Sequence, residues 1–215
     1  MKKIEKDRPL PGHTKLDYYE CYAKIVLEEF FSYNNLLLDD KPDLQDIQNS
    51  IGIEVTTAEE PKMLEAENLY LKLIYADEDT IREKCINRMG QIGLTYKDGM
   101  LLGLSGNDDF TLVNEAINRK IEKLKSAGYK KFNEYQLFIF SSIYAIDSIL
   151  QEELNFLLKE NIDTFFSKIY ILVPEALFYF DLGENECKIF NVSRERQYYQ
   201  AQKARQIVEE VEKEE

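Results

Sequence analysis

Asn35-Leu36-Leu37-Leu38-Asp39-Asp40-Lys41-Pro42-Asp43-Leu44, followed shortly by Ile51-Gly52-Ile53-Glu54-Val55-Thr56-Thr57, decides the fold. The first stretch is a short apolar run that ends in polar residues and a proline, as a strand does on leaving a sheet. The second alternates with period two and is rich in β-branched residues, which predicts a strand paired with the first as a hairpin. Alternation sets Ile51, Ile53 and Val55 on one face and Gly52, Glu54 and Thr56 on the other. Pro42-Asp43 closes one strand and Glu54 lies inside the next, so the hairpin brings two carboxylates side by side. Such a pair suits Mg²⁺, which takes one or two protein carboxylates and leaves the rest of its shell to water and substrate phosphate.

Working outward, residues 16–32 carry apolar side chains at helical spacing on nearly every side, which predicts a helix buried against a sheet. Residues 59–88 are charged and helix-prone, and five of the nine glycines follow, from Gly90 to Gly106. The spacing predicts an insertion over 59–106, with a tight turn at Lys97-Asp98-Gly99. Asn107-Asp108-Asp109 offers an N-cap for a helix over 110–127, and Gly128 stands where left-handed geometry ends a helix. Strands at 136–140, 168–173, 177–182 and 187–192 and a helix at 146–160 complete the pattern. From Arg194 to the end the chain reads as a polar C-terminal helix, solvated or frayed. Alternating helices and strands give an α/β domain with a mixed central sheet.

The chain has 215 residues, 27 Lys and Arg against 40 Asp and Glu, and a net charge of −13. That charge excludes blanket phosphate neutralisation as a way of holding nucleic acid, so any DNA contact has to be local. Cys21, Cys85 and Cys187 form no CxxC pair and predict neither a disulfide framework nor a cysteine zinc site. The N-terminal residues lead into no apolar signal region, and the apolar runs at 137–150 and 169–182 are interrupted and too short for a membrane helix. A cytoplasmic protein without membrane contact is the expectation.

Helix, strand, Pro42-Asp43, strand and Glu54, in that order, resemble the PD-(D/E)XK nuclease superfamily, the restriction-endonuclease-like fold. The resemblance covers residues 16–57 by motif, and the 110–127 helix with its following strand by order of elements. It implies that Asp43 and Glu54 bind Mg²⁺ or Mn²⁺, which would activate water and shield phosphate charge, and that the preceding helix adds a glutamate. Thr56 stands where the motif has lysine, so the positive charge at the phosphoryl transition state has to come from elsewhere.

On the 110–127 helix, Val113, Ala116, Ile117, Ile121 and Leu124 form one stripe, and Lys120 falls near its middle. An inward lysine needs an acidic partner, and the hairpin carboxylates are the natural one; Lys120 is read as the replacement for the motif lysine. The bland alternative is a lysine whose stem packs while its amine reaches water. Periodicity leaves Glu20 and Glu29 both open as the helix-borne acid; the resemblance favours Glu20. The implied function is a metal-dependent phosphodiesterase acting on DNA, in a defence or mobile-element setting, with Arg119, Lys120, Lys123, Lys125, Lys130 and Lys131 forming a basic region, broken only by Glu122, beside the site. The rivals are an inactive nuclease-fold protein for binding or assembly, and an acidic inhibitor or immunity-type protein that meets a basic protein partner; the net charge favours the first of these.

Overall fold

The computed structural model describes residues 10–213 except 12, 98–99, 104–108 and 127. The chain divides into two compact units, one of residues 12–58 and 108–215 and the other of residues 1–11 and 59–107. The larger unit is α/β with a mixed seven-stranded sheet.

Helix α1 (Tyr18–Phe30) starts at Asp17, whose carboxylate accepts from the backbone N–H of Tyr19 and Glu20 and so caps the first turn. Strands β1 (Leu37–Leu38), β2 (Leu44–Asp46) and β3 (Ile51–Ala58) form an antiparallel meander. This corrects the expected hairpin, because the 35–44 run breaks into two strands. Lys41 takes a left-handed φ of 58°, and Asp39 N donates to Asp43 O at 3.1 Å. A turn therefore occupies the middle of the run, and Asp43 lies in that turn, leading into β2, instead of ending the strand before it. The Lys41–Pro42 bond within that turn is cis.

In the smaller unit, α2 (Pro61–Ile74) and α3 (Asp79–Gln91) precede the antiparallel pair β4 (Thr95–Lys97) and β5 (Met100–Leu102). Ala66, Leu73, Cys85, Met89 and Leu94 are its core, and Arg88 forks onto both oxygens of Glu65 at 2.6 and 3.1 Å. The expected turn at Lys97-Asp98-Gly99 falls partly outside the described residues; the strands either side of it pair as a hairpin should.

The main sheet resumes through α4 (Thr111–Leu124), β6 (Glu134–Ser141), α5 (Asp147–Lys159), β7 (Lys168–Val173), β8 (Ala176–Asp181), β9 (Glu186–Asn191) and α6 (Arg194–Lys213). Strand order is β1-β2-β3-β6-β7-β8-β9, with β6 parallel to β3 and β7 parallel to β6, and the last two pairings antiparallel. The two parallel steps need crossovers, which α4 and α5 supply on one face. Their Val113, Ala116, Ile117, Leu150, Leu154 and Leu157 pack with Leu137, Ile139, Ile169 and Ile171. On the other face α1 packs Ala23, Val26 and Leu27 against Ile53, Val55, Phe138 and Tyr170. Strands covered on both faces read as the near-continuous apolar runs seen at 137–140 and 169–173. The sheet margins are β1, two residues long, and β9, where Lys188 pairs with Glu186 at 2.6 Å.

The ends of α4 and the packing of α6 differ from their sequence-based reading. Helix α4 ends at Leu124, before Gly128 takes its φ of 97°. Of the expected N-cap, Asn107 and Asp108 lie outside the described residues, while Asp109 Oδ1 accepts from Thr111 N at 2.8 Å. Helix α6 is not a frayed tail. Gln200, Ala204, Val208 and Glu209 are buried, and the helix is tied to α1 through the Tyr22 hydroxyl on Gln197 O (3.1 Å) and Arg196 on Glu29 (2.6 Å). Sparse apolar positions hid this face, because its contacts are mostly polar. Among the described residues no helix is long and apolar enough to cross a membrane.

Candidate functional site

Strand β3 carries Glu54 on the side facing α4, one residue out of phase with Ile53 and Val55, whose side chains pack under α1. Asp43 reaches the same place from the turn before β2. Its Oδ2 accepts from Val55 N at 2.7 Å, a bond that ties the turn to β3 and fixes the carboxylate. From α4, Lys120 Nζ donates to Glu54 Oε2 at 2.6 Å and to Asp43 Oδ2 at 3.0 Å. Lys120 is 6% exposed and Glu54 1%.

The local sequence explains why these groups meet. Gly52 lets the turn approach β3, since a Cβ there would stand 2.5 Å from Pro42 Cγ and 3.2 Å from Phe132 Cδ2. Lys130 N donates to Lys41 O at 3.1 Å, and its ammonium pairs with Asp39 at 2.5 Å, so the segment after α4 holds the turn from outside. Gln45 Nε2 donates to Pro42 O at 3.1 Å from within.

Two carboxylates against one ammonium leave an excess of negative charge. Burial works against the charge on Lys120, but Asp43 and Glu54 outweigh it and hold its pKa above the ordinary lysine value. Burial, reinforced by Asp43, raises the Glu54 carboxyl above the usual carboxylate range against the pull of Lys120. The excess extends to Glu20 on α1, whose pKa is pushed up to about 7 by burial first, then by Asp43 and Asp17. Glu20 therefore shares the field of the cluster. Glu29 does not: it is bound by Arg196 and by Gln200 Nε2 at 2.7 Å, on the α6 side of the helix. The geometry thus separates the two glutamates that periodicity left open.

A cleft of about 520 Å³ opens beside the cluster, lined by Asp17, Glu20, Asp39, Asp40 and Asp43 with His13 and Lys15 at its edge. Tyr129 went unnoticed in the sequence. Its hydroxyl faces Glu54, and burial, followed by the charge of that carboxylate, raises its pKa above the ordinary tyrosine value. No sequence signal marks it, because it lies in an irregular segment with neither helical nor strand period.

Asp43 and Glu54 are carboxylates, the donor type that a hard divalent cation takes, and both are bound by the Lys120 ammonium. Glu54 Oε1 is buried without a well-formed hydrogen bond among the described residues, although the Tyr129 hydroxyl faces this carboxyl, and a carboxylate pair is the protein share that Mg²⁺ ordinarily takes. Among the described residues no group of three or more His, Cys, Asp and Glu side chains is spaced to hold a metal. The basic region is partly spent: Lys120 is buried, Lys125 pairs with Glu122 at 2.8 Å, and Lys130 pairs with Asp39. Arg119, Lys123 and Lys131 are its remaining exposed cations. Comparison with family models, curated proteins and solved structures finds no match to this chain.

Proposed function

We propose that this chain is a Mg²⁺- or Mn²⁺-dependent phosphodiesterase, a nuclease acting on DNA, built on a restriction-endonuclease-like core. The observation that carries the reading is the Lys120 ammonium bound to both Asp43 and Glu54, which meet from a turn and a strand. Helix α1, strands β2 and β3, and then α4 and β6 after the inserted unit follow in the order of elements on which the PD-(D/E)XK resemblance rests, which supports it.

Asp43 and Glu54 would hold the cation, which when bound supplies charge shielding for the phosphate and lowers the pKa of attacking water. Lys120 would supply from α4 the positive charge that Thr56 cannot, of the kind that stabilises charge developing on a phosphoryl group. It also opposes the burial that raises the Glu54 carboxyl. Glu20, its carboxyl held up to about 7, is an accessory acid at the cleft wall. Arg119, Lys123 and Lys131 give a backbone somewhere to rest beside an otherwise acidic cleft.

The acidic cleft favours a second reading, a non-enzymatic protein on the same core in which Lys120 only neutralises buried carboxylates. Cleavage of plasmid and single-stranded DNA with Mg²⁺ or Mn²⁺, together with calorimetric titration of each metal, separates the two. Wild-type protein should bind metal and cut, Asp43→Asn should do neither, and Lys120→Met should bind metal without cutting. Metal binding that Asp43→Asn leaves unchanged, or no binding at all, supports the second reading.

A further inference from the structure

A second cleft, of about 510 Å³, lies between the start of α4 and the outer side of α5, and among the described residues it shares none with the cleft at Asp43. Its volume is that of a small-molecule site. Phe110, Ile149 and Phe156 form apolar walls, and Asp109, Asn114 and Glu153 supply polar groups. Glu153 is 7% exposed, and its Oε1 has no hydrogen-bond partner among the described residues. A buried carboxyl oxygen left unmatched costs free energy unless something donates to it. Asn114 is the polar neighbour that faces Glu153 from α4.

The chemistry of the lining selects the ligand. Asp109 and Glu152 flank Glu153, and among the described residues no lysine or arginine lines the cleft. The start of α4 contributes about half a positive charge at most, less than the flanking carboxylates contribute in the opposite sense, so an anion is excluded and a cation favoured. Aromatic walls suit a cation with an apolar body, since a ring face attracts an ammonium as well as packing a hydrocarbon. We propose that this cleft binds a small organic amine, whose ammonium group donates to Glu153 while its apolar body lies against Phe110 and Phe156.

Burial holds the Glu153 carboxyl up to about 7, against the hydrogen bond from Asn114, so the group gives up any remaining proton to solvent readily as an ammonium arrives. Phenethylamine is the probe, titrated near pH 8 by protein-observed NMR against the wild-type protein, with 2-phenylethanol as the neutral analogue of like shape and Mg²⁺ as the bare cation. The expected result is saturable binding of the amine, with shifts confined to α4 and α5, at least about tenfold tighter than the alcohol, a ratio worth about 1.4 kcal/mol. Glu153→Gln should lose that preference, and Asp43→Asn should keep it. Equal affinity for amine and alcohol in the wild-type protein overturns the proposal, and so does displacement of the amine by millimolar Mg²⁺; neither result depends on how well the Glu153 variant folds.

Discussion

Replacing Lys120 with methionine tests the central geometry without any assumption about catalysis. Methionine keeps much of the stem volume and removes the ammonium, which leaves Asp43 and Glu54 facing each other with no cation between them. Removing one partner of a buried ion pair costs about 3–5 kcal/mol, because the charge left behind is uncompensated. Glu54 can escape part of that cost by taking a proton, at about 1.4 kcal/mol for each unit of pH below its new pKa. Its pKa is already raised in the wild-type protein, by burial first and then by Asp43, and rises further once Lys120 is gone. The loss is therefore expected to be about 3–4 kcal/mol near pH 8 and about 1–2 kcal/mol near pH 5.5. Urea unfolding followed by circular dichroism at both values measures it. Adding Glu54→Gln should recover much of the loss near pH 8, since the double variant buries no unpaired Glu54 charge. A single variant within about 1 kcal/mol of wild type at both pH values would show that the lysine makes no buried bond to these carboxylates.

Glu20 gives a wild-type pH dependence of definite sign. Its folded pKa of about 7 exceeds its ordinary 4.5, so its contribution is fully present below 4.5 and is lost as pH rises through about 7. With solvent screening of this half-buried group the loss is roughly 1–2 kcal/mol, and Glu20→Gln should flatten that part of the stability profile. Divalent metal should displace the Glu20 proton, so calorimetric heats of Mn²⁺ binding near pH 7 should vary with buffer ionisation enthalpy in wild type and much less in Glu20→Gln. Gly52→Ala should destabilise by about 1–3 kcal/mol through overpacking, because the new methyl would meet Pro42 at 2.5 Å; an unchanged melting temperature would contradict that close approach.

Elements whose apolar pattern is local were legible in the sequence. The period-two run at 51–57, the stripe on α4 and the apolar runs of β6 and β7 each named their element, and the α4 stripe also named its buried face. Lys120 stood out for the same reason, as a charge set into an apolar stripe. What escaped notice depends on contacts between distant residues. The break between β1 and β2 follows from the left-handed Lys41 and from Lys130 bonding back to it, and neither leaves a periodic trace. The buried side of α6 rests on polar ties to α1 that composition reads as solvated. Tyr33, Gln136 and Tyr170 form a buried hydrogen-bonded trio at 2.6–3.0 Å, and only the folded sheet brings them together.

The margins of the large sheet bear on how other chains can approach it. An unpaired strand edge is a template for a foreign strand, and short or charged edges are the usual defence. Leu37–Leu38 offers too little backbone to hold an added strand in register, and along β9 the Glu186–Lys188 pair sets charge where a visitor's side chains would have to lie. A macromolecule recruited by the larger unit is therefore better met by its helix faces, clefts and loops, and the large sheet will resist growing from molecule to molecule.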